Sequence, residues 1–414
     1  MADEKTILVV GTYDTKSDEL GYITACIEEA GGTVLRMDVS VLGEPPVAVE
    51  LTKHDVAAAA GVTINEVMAA GDENAAMTLM ASGASRLALQ QLEAGRVDGV
   101  IVLGGTMGTD LALDVCRTLP LGVPKYIVST VAFSPLIAPE RLAPDIQMIL
   151  WAGGLYGLNA ICRSSLSMAA GAVLGAARTA KPPQRNRPLI GMTSLGKSCL
   201  NYMVPLKPEL ERRGYEVAVF HTTGMGGRAF ESLAAKGAFA AVMDFSLQEL
   251  ANGLHGSMVN SGTDRLENAG RAGIPQIVAP GASDLLDLPT WQPMPEQYAE
   301  RPYHAHNRLI ASVALSPEER RITARAIGDK LAAAHGPAHF LLPLRGIEAW
   351  DREGEPAYDP EGLAAFIDEA RQAIRPPVAL TEVDAHINDA AFAEAALKVL
   401  DDWVARGIVR RGVT

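Results

Sequence analysis

Short apolar segments with the composition of buried strands alternate with longer segments of helical periodicity along almost the whole chain. Helical periodicity is clear at residues 18–29 and 72–95. In the first half the strand-like segments are residues 6–10, 34–38, 99–103, 126–129 and 146–150. Buried parallel strands joined by crossover helices produce this alternation. The sequence therefore predicts an α/β fold in which mainly parallel sheets are flanked by helices.

A polar, proline-broken segment at residues 181–188, KPPQRNRP, interrupts the pattern, which then restarts. Such a composition is typical of a linker. We therefore predict two α/β domains, an amino-terminal one at 1–182 and a carboxyl-terminal one at 188–414. The second carries strand-like segments at 189–193, 216–221, 240–245, 276–279, 339–344 and 378–383. Residues 288–306 contain four prolines and are predicted to be an irregular excursion that serves as a lid or a subunit contact.

Charge and cysteine content exclude several classes of protein. A formal net charge of −13 over 414 residues, without a dense block of Lys or Arg, argues against nucleic acid as a partner. The four cysteines form no CxxC pair, so we expect reduced thiols and no metal site. The acidic amino terminus lacks the order of a signal peptide, and the longest uncharged segment, 146–162, is too short to cross a bilayer. We expect a cytoplasmic protein without a membrane segment.

Two turns in the first half are rich in glycine and threonine and lie between a strand-like and a helical segment. They read GTYDTK at 11–16 and GGTMGT at 104–109. In a parallel sheet such turns meet at the carboxyl edge of the strands, where free backbone N–H groups at a helix start attract anions. A strict GxGxxG fingerprint is absent, so the turns predict a mononucleotide or phosphorylated metabolite rather than NAD. Each turn alone also fits an ordinary capped connection. The predicted pocket residues are Gly11, Thr12, Asp14, Thr15, Lys16, Gly104, Gly105, Thr106, Gly108 and Thr109, with Ser129 and Thr130 at the end of the next strand.

A third turn of this kind, HTTGMGGR at 221–228, follows a strand in the second half. His221 titrates near neutral pH and is predicted to carry protons, while Arg228 suits a carboxylate or phosphate. The predicted substrate-binding residues are Thr222, Gly224, Gly226, Gly227, Asp264 and Arg265. The alternative is a capped turn with an incidental histidine, in which Asp264 caps a helix.

Residues 191–198, GMTSLGKS, satisfy the Walker A pattern of nucleoside triphosphatases. An apolar run ending at Asp244 would then supply the acidic residue that holds magnesium. Against this reading, only Leu189 and Ile190 precede the first glycine as strand core after Pro188. We therefore regard the Walker interpretation as the weaker one.

Two histidine-containing segments remain. His304 and His306 are two residues apart and suit a metal, but no cysteine or carboxylate lies at a matching spacing, so surface or interface histidines are favoured and no metal is predicted. His386, in VDAHIND at 383–389, ends a strand and is a third predicted catalytic residue besides His221 and Arg228. Asn388 or Asp389 capping the last helix explains part of that motif without chemistry.

Read in order, these motifs resemble the Tm-1-like ATP-binding family, also called UPF0261, over the full length. The segments that carry the resemblance are GTYDTKSDEL from Gly11, RVDGVIVLGGTMGT ending at Thr109, GVPKYIVST ending at Thr130, GYEVAVFHTTGMGGRAFE from Gly214, DRLENAGRAGIPQIVAPGASD from Asp264, the His306-Asn307 pair, LLPLRG from Leu341, and VDAHINDAAFAEAAL from Val383.

The resemblance implies two Rossmann-like domains, ATP or a related nucleotide in the amino-terminal half, with magnesium as its companion ion, and homodimers. It assigns to the nucleotide site the residues Gly11, Thr12, Asp14, Thr15, Lys16, Gly104, Gly105, Gly108 and Thr109. It also weakens the Walker reading, since Lys197-Ser198 is not part of the family pattern.

Three functions follow as hypotheses. The first is a protein of bacterial type that binds ATP or a phosphorylated small molecule in the amino-terminal domain and acts in small-molecule metabolism. The second is an enzyme that acts on a small carboxylate or keto acid in a cleft between the domains, with His221 or His386 as acid/base. The third is a regulatory binding protein without turnover. In each case we expect a small-molecule ligand, no nucleic acid and no membrane.

Overall fold

The computed structural model describes residues 4–151, 153–184 and 186–413. One position of the predicted linker, residue 185, and both chain ends lie outside these ranges. The chain divides into two compact units, residues 1–184 and 185–414.

The first unit is a five-stranded parallel sheet with helices on both faces. Its strands are β1 (Thr6–Gly11), β2 (Thr33–Asp38), β3 (Gly99–Gly104), β4 (Lys125–Ser129) and β5 (Gln147–Leu150). Its helices are α1 (Ser17–Glu29), α2 (Lys53–Ala60), α3 (Ile64–Met68), α4 (Glu73–Glu93), α5 (Thr106–Thr118) and α6 (Ala160–Thr179). The predicted fold class is confirmed. The short helices α2 and α3 were not predicted.

Alternate residues of β1 serve two separate cores, as expected for a strand covered on both faces. Ile7 and Val9 pack with residues of α1 and α6, whereas Leu8 and Val10 pack with residues of α4 and α5. Among the described residues, α6 is the one helix long and apolar enough to span a bilayer. Its Leu166 and Val173 are fully buried in the core shared with α1, which is the arrangement of a core helix.

The order of strands places a ligand crevice in this unit. The order across the sheet is β2-β1-β3-β4-β5, so the chain winds in opposite directions from β1 and from β3. In wound α/β sheets ligands bind at this switch point, outside the carboxyl ends of the strands. The two glycine turns predicted from the sequence follow β1 and β3.

The second unit repeats the same winding with one more strand. The order is β14-β13-β9-β8-β6-β7, and all pairs are parallel. Its strands are β6 (Leu189–Ser194), β7 (Glu216–His221), β8 (Ala241–Ser246), β9 (Gln276–Gly281), β13 (Ala338–Pro343) and β14 (Ala379–Val383). Its helices are α7 (Met203–Arg212), α8 (Met225–Ala235), α9 (Gln248–Leu254), α10 (Asn268–Arg271), α11 (Pro317–Ala332), α12 (Pro360–Ala373) and α13 (Ala390–Ala405).

A small antiparallel sheet replaces the irregular excursion predicted at 288–306. It has the order β10-β12-β11 and is formed by β10 (Leu285–Pro289), β11 (Tyr303–Ala305) and β12 (Ile310–Ala314). Only the proline-rich stretch between β10 and β11 is irregular. Leu286 and Val313 bury this sheet against Ala251 of α9, so it is an integral part of the second unit.

Candidate functional site

A cleft of about 460 Å³ lies at the switch point of the first unit. Both glycine turns line it, together with the segment after β2 and Met77 of α4. Of the predicted pocket residues, those in the lining are Gly11, Thr12, Asp14, Thr15, Lys16, Gly104, Gly105, Thr106 and Gly108. The sequence motifs therefore come together in one cleft, whose volume is that of an ordinary small-molecule site.

The start of α5 supplies the main donors of this cleft. Gly105 is the N-cap, and the first intrahelical bond of the helix runs from the Thr109 amide to the Gly105 carbonyl at 2.8 Å. The amides of Thr106, Met107 and Gly108 precede that bond and have no hydrogen-bond partner within the described parts of the chain. Such unpaired N–H groups and the positive end of the helix dipole attract an anion. Gly104 permits this geometry, because a Cβ there would lie 2.5 Å from the Gly108 Cα.

Asp14 holds the segment that closes the cleft on the β2 side. Its carboxylate accepts hydrogen bonds from the Ser40 hydroxyl at 2.9 Å and from the Gly43 amide at 3.2 Å. Asp38, at the end of β2, accepts from the amides of Tyr13 and Ser40. The two carboxylates therefore shape the wall formed by residues 39–42.

Lys16 lines the cleft and also contacts a neighbouring loop. Its ammonium donates to the Leu155 carbonyl at 2.5 Å and lies 4.8 Å from the centre of the Tyr156 ring. Neither partner is an anion, so the charge of Lys16 is available to a phosphate in addition to the backbone donors of α5.

Three predicted residues support the cleft without lining it. The hydroxyls of Thr109 and Ser129 are buried against each other at 2.7 Å. Thr130 follows Ser129, and its hydroxyl lies 3.8 Å from the position that a Cβ on Gly105 would take. The Thr109–Ser129 pair fixes the connection between β3, β4 and α5, while Thr130 is half-buried beside Gly105. None of the three is among the residues that line the cleft.

In the second unit, the predicted anion-binding turn already contains an anion from the same chain. The amides of Gly224 and Gly227 donate to Oε1 of Glu249, at 2.6 and 3.1 Å. Burial raises the pKa of Glu249 to about 7, and Arg265 with the two amides opposes this rise. Gly226 and Gly227 have no room for side chains, because a Cβ would lie 1.8 Å from the His221 carbonyl oxygen and 1.6 Å from Glu249 respectively. The glycines serve this internal contact, which corrects their predicted substrate-binding role.

The two arginines predicted to bind a substrate also form ion pairs with carboxylates of the same domain. Arg265 is 1% exposed and pairs with Asp244, Glu231 and Glu249. Arg228 is 4% exposed and forms a two-pronged pair with Asp264. The buried hydroxyl of Thr222 bonds the Ser194 carbonyl and the Ser246 hydroxyl. Arg265 and Thr222 are buried with their polar groups bonded internally, and Arg228 is nearly so. Asp264 has a side chain that is 22% exposed, but both of its oxygens bind Arg228. These contacts favour structural roles over the predicted substrate-binding and catalytic ones.

The geometry also argues against the Walker A reading. Leu195 and Cys199 exchange two backbone hydrogen bonds, so Gly196, Lys197 and Ser198 form a tight turn, and α7 begins only at Met203. A phosphate-binding lysine and hydroxyl stand instead at the start of a helix. Asp244 is buried against Arg265 and Thr193, away from any magnesium role.

Of the predicted catalytic residues, His221 lines a second cleft. This second cleft, of about 50 Å³, lies at the β6/β8 switch point and is lined by Leu195, Gly196, Lys197, Ser198, His221, Thr223, Gln248, Asp287, His306, Ile310, Ser312 and Trp350. Burial, and after it the charge of His306, lowers the pKa of His221, so its imidazole is neutral near pH 7. Most of this lining was missed because it comes from separate parts of the chain.

Comparison with known proteins follows the same division into two domains. The family model described as "Uncharacterised protein family (UPF0261) N-terminal domain" matches residues 5–182, and that of the C-terminal domain matches residues 187–404. The chain belongs to the UPF0261 family. Both clefts lie within the matched ranges.

Relatives of this UPF0261 chain cover nearly its full length. The UPF0261 protein BMEII0128 of Brucella melitensis is 59% identical over 98% of this chain and 97% of that protein. A UPF0261 protein of Clostridium tetani is 34% identical over 96% and 98% respectively. The ToMV resistance protein Tm-1(GCR237) of Solanum lycopersicum is 27% identical over 94% of this chain and 54% of its own length. A solved Streptomyces glycosyltransferase, SsfS6, aligns at 14% identity over 95% of this chain and 100% of its own, with a TM-score of 0.19, which is too low to carry an argument.

The remaining predicted catalytic residue, His386, is buried in a polar cluster of the UPF0261 C-terminal domain. Its Nε2 lies 2.9 Å from both the Glu348 carbonyl and Oδ1 of Asp351, and its Nδ1 accepts from the Asn388 amide at 3.0 Å. With 0% exposure and both ring nitrogens bonded, His386 has no route to a substrate, so its catalytic assignment is also corrected. His304 stacks on Trp350 at 3.9 Å, and the described residues contain no cluster suited to a metal ion.

Beside His386, two buried carboxyl groups give a testable pH dependence. Both oxygens of Asp284 and Oε1 of Glu348 lack a protein hydrogen-bond partner among the residues described. Burial, and after it the nearby Asp284, raises the pKa of Glu348 to about 9. The folded chain therefore keeps a proton on Glu348 that the unfolded chain releases above about pH 4.3. This contribution to stability is complete at low pH and is lost as pH rises toward 9.

We expect Glu348→Gln to raise the free energy of unfolding by about 1–3 kcal/mol at pH 8 and to have much less effect at pH 4.5. The amide keeps an acceptor for the Trp350 N–H, which Oε2 now binds at 2.7 Å, and carries no charge. Urea titration at a series of pH values checks this. The control is Glu353→Gln, an exposed carboxyl of the same segment, which should leave the profile unchanged. An equal effect of Glu348→Gln at both pH values would contradict the assignment.

Proposed function

We propose that the amino-terminal domain of this UPF0261 protein binds a phosphorylated nucleotide, ATP in the first instance, in the cleft between the turns after β1 and β3. The observation that carries the proposal is the set of unpaired amides at the start of α5, which face a cleft at the switch point of the sheet. Phosphate groups bind at such helix starts in many nucleotide-binding proteins. The family resemblance to ATP-binding proteins supports the same ligand.

The rest of the lining suits the other end of a nucleotide. An apolar wall consists of Val39, Val41, Leu42, Met77 and Leu111. Leu42 and Met107 are 78% and 45% exposed, so apolar surface is available at the rim for a nucleobase. A cleft with backbone donors at one end and apolar side chains at the other favours a nucleotide over a simple phosphate ion.

Magnesium would enter such a site with the nucleotide. The lining contains one carboxylate, Asp14, and both of its oxygens already accept hydrogen bonds from Ser40 and Gly43. Mg²⁺ commonly keeps several waters and is held through substrate phosphates with few protein ligands. The residues present fit a magnesium ion held by the nucleotide, with at most Asp14 from the protein.

The substitution Thr106→Glu tests nucleotide binding without destabilising the fold. Thr106 is exposed at the first position of α5, where a carboxylate interacts favourably with the helix dipole and adds about 0.3–1 kcal/mol to stability. The same carboxylate occupies the place proposed for phosphate and repels it. We expect the melting temperature to stay equal or rise, while affinity for ATP measured by calorimetry falls at least about tenfold.

Ala160→Glu provides the matched control. Ala160 is the exposed first residue of α6, so the variant adds the same charge at another helix start of the same domain, and it does not line the cleft. ATP affinity should be unchanged. Titrations with adenosine and with inorganic phosphate test the two ends of the cleft separately, and both should bind more weakly than ATP. Undiminished ATP binding by Thr106→Glu, or no binding by the unmodified chain at millimolar ATP with magnesium, would overturn the proposal.

A further inference from the structure

The second cleft, at the β6/β8 switch point, is formed by two structural layers. The parallel sheet supplies the turn at Gly196 to Ser198, with His221 beside it. The antiparallel sheet supplies Asp287 and Ser312, which lie opposite each other in β10 and β12. Trp350 completes the wall and is stacked on His304. The antiparallel sheet therefore covers a switch point that would otherwise be open to solvent.

One end of this cleft carries hydrogen-bond donors and positive charge. The Gly196 amide donates to Nδ1 of His221 at 3.3 Å, so the proton of the neutral ring is on Nε2, which has no partner among the described residues. Lys197 is exposed at the same turn, and the structure gives it no ion pair with a described residue. His306, which lies near both His221 and Asp287, adds a third nitrogen-bearing side chain to the cleft. An oxoanion is the ligand that such a set of donors fits.

The other end carries a buried carboxylate that is almost saturated with donors. Oδ1 of Asp287 accepts from Gln248 and Ser312, each at 2.7 Å, and Oδ2 accepts from Asn252 at 3.1 Å. A carboxylate offers about four acceptor positions, so about one is left. Asp287 is 2% exposed and would repel an anion placed against it, whereas a hydroxyl group could donate to the remaining position.

The size of the cleft limits what fits between these ends. A volume of about 50 Å³ corresponds to roughly four water molecules, or a ligand of a few non-hydrogen atoms. A nucleotide is too large. The ligand must therefore be small, and it must offer an anionic acceptor to the donors at one end of the cleft and a hydrogen-bond donor to the carboxylate at the other.

We propose that the carboxyl-terminal domain binds a small hydroxycarboxylate in this cleft, with the carboxylate at Lys197 and Nε2 of His221 and the hydroxyl donating to Asp287. This site is independent of the nucleotide cleft. It differs from the site predicted from the sequence, because only His221 is common to both. Lys197, from the rejected Walker pattern, is here an anion-binding residue.

Glycolate, acetate and inorganic phosphate test the proposal on the full chain. Trp350 lines the cleft, so binding should change tryptophan fluorescence, and Trp350→Phe should remove that change while calorimetry still detects binding. Glycolate should bind saturably and at least about tenfold more tightly than acetate, which lacks the hydroxyl. Phosphate should bind more weakly than glycolate. Equal binding of glycolate and acetate, tighter binding of phosphate, or no binding of any of the three at 50 mM would overturn the proposal.

Substitutions test which residue binds the carboxylate of the ligand and which residue accepts from its hydroxyl. Lys197→Ala should weaken glycolate at least about fivefold, while Lys398→Ala, an exposed lysine of α13 outside the cleft, should have no effect. Asp287→Asn should bring the glycolate-to-acetate ratio close to one. Thr106→Glu, which blocks the proposed nucleotide cleft, should leave glycolate binding intact. Unchanged glycolate affinity in Lys197→Ala, or an unchanged ratio in a folded Asp287→Asn, would contradict the assigned orientation.

Discussion

Replacing Arg265 with methionine is expected to lower the free energy of unfolding of the carboxyl-terminal domain by about 3–5 kcal/mol, which is enough to leave little soluble protein. Arg265 is 1% exposed, and its guanidinium neutralises Asp244, Glu231 and Glu249, which are themselves 0–2% exposed. Methionine is similar in length but leaves three buried carboxylates without a cation. The cost arises from those unpaired charges rather than from the loss of packing.

Urea unfolding at pH 7 and pH 5 measures this effect. The loss should be smaller at pH 5, because buried carboxyls without a counter-ion take up protons and the folded state then gains stability as pH falls. Adding Glu249→Gln and Asp244→Asn to Arg265→Met should recover part of the loss, since fewer charges remain uncompensated. Arg345→Ala, which removes an exposed pair with Asp384, is the control and should cost less than about 1 kcal/mol. A soluble Arg265→Met protein of normal stability would restore the interpretation of Arg265 as a ligand-binding residue.

The second large effect is expected at Gly227. A Cβ at this position would lie 1.6 Å from Oε2 of Glu249, so alanine must displace that carboxylate. Displacement breaks the contacts of Glu249 with the Gly224 amide and with Arg265. We expect Gly227→Ala to lower the free energy of unfolding by about 3 kcal/mol or more, through overpacking together with loss of these charged hydrogen bonds.

Gly253→Ala is the matched comparison for that prediction. Gly253 is exposed in α9, and the nearest atom to a Cβ there is 3.8 Å away. The same methyl group should therefore stabilise the domain by about 0.5–1 kcal/mol through helix propensity. Denaturant titration of both variants gives opposite signs if the turn is closed around Glu249. Equal stability of the two would show that the turn tolerates a side chain and is open to ligand.

The eleven strands of the two parallel sheets could be predicted from the sequence because each is a short, mainly apolar run. Residues 104–109 were predicted to be a turn that precedes a helix, but α5 already begins at Thr106, because Gly105 and Gly108 weaken the helical pattern of its first turn. The antiparallel sheet was missed, since β11 is three residues long and follows a proline-rich stretch. Local composition identifies the strands of the parallel sheets, including the four-residue β5, but not a strand of only three residues.

The two clefts were predictable to different degrees. The amino-terminal cleft is formed largely by two turns that directly follow strands, so their motifs predicted their place in the sheet. The wall at 39–42 was not predicted to line the cleft, and neither were Met77, Val102, Leu103 and Leu111. In the carboxyl-terminal domain the side chains that surround the glycine turn come from distant positions in the sequence. Arg265, for example, is 34 residues from its partner Glu231. Nothing local reveals that Glu249 will enter the turn. ATP binding, the homodimer and the cytoplasmic location stay predictions.

The position of Glu249 has a further consequence for ions in solution. A carboxylate fixed to the same chain and held against two amides reaches an effective concentration far above that of any dissolved anion. Sulfate or phosphate in a buffer therefore competes poorly for the turn before α8, even though its glycines resemble those of an open binding loop. In its ionised form, Glu249 is an internal competitor for the ligand that this motif would otherwise attract, and protonation near pH 7 weakens the competition.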